Sequence, residues 1–140
     1  MDGWYHVSHM QNTRFLKNAL VALILFVASD AAWHAWLMVD FYTAKISAMG
    51  GTLPTGFGSV CVFQVIAALG TAYFLRNART WNEGAFQGGL LSLMMVGAIN
   101  LVMHGLLPGW DMELVLIDIG WGIVTGIVVG GVIGMMGKKG

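Results

Sequence analysis

Charge is what this chain has least of. Of its 140 residues seven are Lys or Arg and seven Asp or Glu, so 10% is charged, where a soluble domain carries about 25%. The formal net charge is zero at neutral pH, which leaves no basic excess to hold a nucleic acid. A single cysteine, Cys61, cannot staple a small secreted domain. The two prolines, Pro54 and Pro108, both fall in breaks between apolar stretches. Period-2 alternation is absent, so closed barrels of strands are excluded. What is abundant points one way: 57% of residues are apolar, 20 are glycine and the mean hydropathy is +0.73. That composition excludes a disordered chain and leaves one small integral membrane domain.

A hydrocarbon core about 30 Å thick needs ~20 mostly apolar residues in a helix, and four runs qualify, at about 19–39, 56–75, 85–107 and 114–136. The breaks carry turn or charge signals: Asp40 to Pro54 with Gly50-Gly51, then Arg76 to Gly84, then Pro108-Gly109-Trp110-Asp111. Residues 18–140 therefore read as an all-α up-down bundle of four transmembrane helices. Arg14, Lys17, Arg76, Arg79, Lys138 and Lys139 fall on one side of it, and only Lys45 on the other. By the positive-inside rule both termini face the cytoplasm, and an even number of spans agrees in putting them on one side.

Arg14 and Lys17 ahead of an apolar stretch ending in Val27-Ala28-Ser29 have the form of a signal peptide. The stretch stays apolar through Trp33, Trp36, Leu37 and Met38, so it reads as a retained first span. Residues 1–17, with Trp4, Tyr5 and Phe15, read as an interfacial segment. His6 and His9 stand three residues apart there, but two ligands without a nearby carboxylate or thiol do not make a metal site. Trp36, Phe41, Tyr42 and Trp110 are expected as an aromatic belt at the outer boundary, with Tyr73, Phe74, Trp81 and Phe86 at the inner one. The ten methionines read as fillers of irregular apolar gaps.

This topology assigns a depth to each costly polar group. Asp30, His34, Asn100, His104 and Asp118 all fall in the outer halves of their spans, where residues of this kind turn inward and find partners. Asp30 and His34 are one helical turn apart, as are Asn100 and His104. Asp118 has no such neighbour and is expected to meet His34 or His104, while Gln64 adds an amide from the second span. Three chemistries suit such a cluster. It can be a polar lock fixing helix register. It can be a proton or ion path, although only Thr71, Gln87 and Ser92 continue it inward. It can be a site for a transition metal or haem held by His34, His104, Asp30 and Asp118. No paired cysteines, zincin motif, nucleophile elbow or phosphate loop points to an enzyme, and no cofactor is the simplest expectation.

In the last span Gly122, Gly126, Gly130 and Gly134 recur every fourth residue. Such a stripe lets another backbone approach closely in lipid. It reads either as packing inside the bundle or as a docking face for another membrane subunit or a second copy. Each four-residue step overshoots a turn by about 40°, so one neighbour is not expected to cover the whole stripe.

The order Asp30-x-x-Trp33, Phe41-Tyr42, Trp110 and Asp118-Ile119-Gly120-Trp121-Gly122 resembles a family of small predicted bacterial membrane proteins catalogued as a domain of unknown function. The resemblance implies four helices and an inner-membrane location. Ile99-Asn100 and Met103 depart from the pattern, which has a Tyr-Asp pair and a following Asn there. The leading functional expectation is an accessory or assembly subunit that packs on a larger membrane complex through its last helix. The alternatives are a redox, metal or haem protein and a small transporter or proton conduit.

Overall fold

The computed structural model describes residues 3–52 and 57–137, with side chains from residue 12 onward. Among the described residues there is no strand. Helix α1 spans Gly3–Ala32, a π-helical turn follows at Trp33–Leu37, and then come α2 (Val39–Ala48), α3 (Phe57–Phe74), α4 (Trp81–Leu106) and α5 (Met112–Met136). Four segments are long and apolar enough to cross a membrane: Asn12–Leu37, Phe57–Phe74, Trp81–Leu106 and Met112–Met136. At 18 to 26 residues, or about 27–39 Å of helix, they match the hydrocarbon thickness. Helix α1 runs unbroken through the boundary expected near residue 17. The side chains of His6 and His9, and Pro54, Lys138 and Lys139, lie outside the described residues.

The spans form two antiparallel hairpins. In the first, Gln64 of α3 reaches Asp30 near the end of α1, while Arg14, near the start of the first span, reaches the Ala78 carbonyl beyond α3 (3.4 Å). In the second, α4 and α5 lie in intimate contact, whereas contacts between the hairpins are few and run mainly from α1 to α5.

Glycine is the reason α4 and α5 come so close. A Cβ on Gly84 would strike the Gly130 carbonyl, one on Gly88 the Gly126 carbonyl, and one on Gly134 the Thr80 carbonyl. Gly122 receives the Val96 side chain at the other end of the contact. A single neighbour thus covers the stripe from Gly122 to Gly134, against expectation. The reason lies on α4, where Gly84, Gly88 and Ser92 repeat small residues at the same interval and track the stripe along its length. These α5 glycines are consequently turned toward their own chain, and a partner would have to use another face.

The termini of these helices are capped locally. Thr80 accepts the Glu83 backbone N–H (3.2 Å), and the Glu83 carboxylate accepts that of Arg79 (2.8 Å), a close variant of the capping box. Asp111 caps α5 by accepting the Leu114 N–H (3.0 Å). The connection after the first span holds helix α2 where the sequence suggested only a break. Its acidic first-turn residue Asp40 and late Lys45 suit the helix dipole, and Gly50 ends it with φ of +81°. The Lys45 ammonium pairs with Asp111 and with Glu113 (2.7 Å), tying α2 across the start of α5.

Candidate functional site

The two hairpins meet at a polar network just below α2. Asp30 and Trp33 are three residues apart on the first span, and so are Asp118 and Trp121 on the last, which puts acid and indole on one helical face in each case. The two faces are joined. The Trp33 and Trp121 rings stack with centroids 4.3 Å apart and planes 6° from parallel. The Trp33 indole N–H donates to the Tyr42 hydroxyl (3.1 Å), and that hydroxyl donates to Asp118 Oδ1.

Tyr42 reaches this position only because the chain departs from α geometry. Nine residues separate it from Trp33, and in a continuous helix they would point about 180° apart. The π turn, closed by the Met38 N–H to the Trp33 carbonyl (2.8 Å), and the non-helical Met38 (φ −122°, ψ 17°) swing α2 back over the bundle. Tyr42 is therefore no belt residue: it is 6% exposed, and burial with the Asp118 contact raises its phenol pKa well above the ordinary value. It remains a proton donor throughout the physiological range. Trp36 by contrast is 78% exposed.

Each residue expected in the cluster has a definite place. The Asp30 carboxyl accepts from the Gln64 amide, and its backbone carbonyl accepts from His34 Nδ1 (3.1 Å). The His34 ring also packs on Tyr42, 4.6 Å between centroids. The Asp118 partner is Tyr42 rather than a histidine, with His34, Asp30 and Asn100 within electrostatic reach. Asn100 donates to the Val96 carbonyl (3.1 Å) and accepts from the Trp110 indole (3.1 Å). His104 is exposed and donates to the Trp110 carbonyl (2.6 Å). Asn100 and His104 thus hold the last turn instead of pairing with each other.

The proposed ligand set His34, His104, Asp30 and Asp118 does not gather into a metal centre. Among the described residues no three of His, Cys, Asp and Glu come close enough to hold an ion. The physical reason is position: His34 sits beside Asp30 on the first span, whereas His104 is turned out to the exposed α4–α5 turn, where its Nδ1 bonds the Trp110 carbonyl.

Below the network lies a cavity of about 50 Å³ whose polar lining is Asp30, Gln64, Thr71, Ser92 and Thr125. It has room for a few water-sized groups. Gln64, Thr71 and Thr125 are each at most 5% exposed, and the Thr125 hydroxyl has no hydrogen-bond partner. One helical turn further from the network, Leu75 follows Thr71 and Val129 follows Thr125. With Ala22 and Ile133 they form a fully buried apolar plug. Sequence reasoning missed the roles of Tyr42, Trp121 and Thr125, although the repeated Asp-x-x-Trp spacing was there to be noticed.

Four apolar spans enclosing a polar interior define a polytopic α-helical membrane protein. The family DUF2177, described as a predicted membrane protein, matches residues 15–136. The chain belongs to that family. No curated protein and no solved structure matches it. Of the residues that carried the resemblance, Asp30, Trp33, Tyr42, Asp118 and Trp121 build the network, and Trp110 bonds Asn100 beside it.

Proposed function

We propose that this protein is a small transporter or proton conduit of the bacterial inner membrane, with both termini on the cytoplasmic side. The single observation that carries this reading is that Asp30 belongs to the interhelical network and also lines the cavity. Among the described residues the only ion pairs are those of Lys45 with Asp111 and Glu113. Neither Asp30 nor Asp118 is in an ion pair: Asp30 is bonded to the Gln64 amide and Asp118 to the Tyr42 hydroxyl. An ionised carboxyl at membrane depth costs ~2.5–3.5 kcal/mol on insertion scales, and a mobile proton or cation is the natural counter-charge.

The plug formed by Ala22, Leu75, Val129 and Ile133 closes the cavity on the Arg79 side, so passage requires movement. The two tight hairpins, thinly joined, are the units that would rock against one another. The orientation rests on Arg14, Lys17, Arg76 and Arg79 gathering at one end of the bundle. Docking on a larger membrane complex or a second copy has less to stand on, because the glycine stripe of α5 is occupied by α4.

The test is proton or cation flux into vesicles containing the purified protein under an imposed potential. Flux above that of empty vesicles, abolished by Asp30→Asn and by Asp118→Asn, is expected. Flux no greater than in empty vesicles overturns the reading.

A further inference from the structure

We propose that the interior cavity is a binding site for one small, partly dehydrated monovalent cation, held by oxygen atoms of Asp30, Gln64, Thr71, Ser92 and Thr125. The proposal rests on the transport reading above and names the species that this site takes.

The lining decides the sign of the ligand. Of its five polar side chains, four offer only oxygens. The one nitrogen, Gln64 Nε2, is already donated to the Asp30 carboxyl. That leaves the Gln64 carbonyl, three hydroxyls and a carboxylate facing a space with no cationic side chain, a set that repels anions and suits a hard cation. Thr125 adds an independent sign: its side chain is 5% exposed, its hydroxyl has no partner, and it lines the same space. A buried hydroxyl left unpartnered costs free energy that an ion–dipole contact returns.

The lining also decides charge and size. A single carboxylate balances one positive charge, whereas calcium sites gather several charged oxygens and magnesium demands a regular octahedron of ligands and waters. A volume of about 50 Å³ has room for a sodium ion with its remaining waters, and a quaternary ammonium ion such as choline, its charge shielded by methyl groups, cannot bring that charge close to the lining oxygens. The apolar plug below keeps the ion from leaving toward the Arg79 end, so it enters and departs past Asp30.

The experiment is equilibrium binding of radioactive sodium to the full-length protein in mild detergent, at constant ionic strength set with choline chloride. Saturable binding near one ion per chain, displaced by unlabelled sodium and not by choline, is expected. Asp30→Asn should abolish it, and Thr125→Val should weaken it by about tenfold, with Thr125→Ser restoring it. Circular dichroism and size-exclusion profiles matching the wild type show that the variants are folded. Absence of saturable binding overturns the proposal, as does binding unchanged in folded Asp30→Asn. The two readings fail separately. Proton flux without saturable sodium binding removes the cation site and leaves the conduit, whereas sodium binding without any flux leaves the site and removes transport.

Discussion

The indole rings of Trp33 and Trp121 stack almost face to face, 4.3 Å apart and 6° from parallel. They join the first hairpin to the second at a place where the two are otherwise thinly connected. Exchanging each for Leu, alone and together, should give a coupling of about 0.5–1.5 kcal/mol, the usual worth of an aromatic pair beyond its buried area. Thermal unfolding of the four proteins in one detergent measures it. A coupling near zero would mean that the stack does not hold the hairpins together.

Tyr42 is hydrogen-bonded to both Trp33 and Asp118. Tyr42→Phe keeps the ring and deletes both bonds, leaving a half-buried carboxyl without its donor. The expected loss of stability is about 1–3 kcal/mol, read as a lower unfolding midpoint. Tyr42→Leu should cost more, because it also removes the packing against His34.

Glycine substitutions should divide sharply by position. Gly130→Ala puts a Cβ against the Gly84 carbonyl, where backbone cannot step aside, and overpacking of this kind costs about 1–3 kcal/mol. Gly70→Ala meets nothing within 4 Å and should be tolerated. Comparing the yield and unfolding temperature of the two proteins checks the α4–α5 contact directly.

The ion pairs of Lys45 give a pH signature at the rim. The Lys45 ammonium and the Leu114 N–H hold Asp111 below its ordinary value of 3.8. A carboxyl depressed by folding stabilises the folded state above its ordinary pKa and ceases to do so as pH falls through the lowered one. The stability gap between wild type and Lys45→Gln should hold steady at neutral pH and shrink below about pH 4. Both groups are partly exposed, so added salt should shrink the gap as well. Unfolding midpoints across pH and salt test this, and a gap that grows on acidification would contradict it.

The sequence by itself determined the membrane class, the four spans and their hairpin order, because a bilayer demands continuous apolar helices and marks their ends with charge and turns. It also singled out the costly interior residues, Asp30 and Asp118 above all, since polar groups are conspicuous against an apolar background. Which atoms those residues meet was decided by tertiary structure alone. Helical periodicity from Trp33 sends Tyr42 to the far side, and only the π turn with the kink at Met38 returns it to Asp118. The α5 glycine stripe is legible in one dimension, but its partner on α4 emerges only when Gly84, Gly88 and Ser92 are laid antiparallel to it. Thr125, unremarkable in an apolar run, acquires meaning from the space it faces. Contacts between residues far apart in the chain depend on helix register and crossing, and periodicity within a single helix carries no record of either.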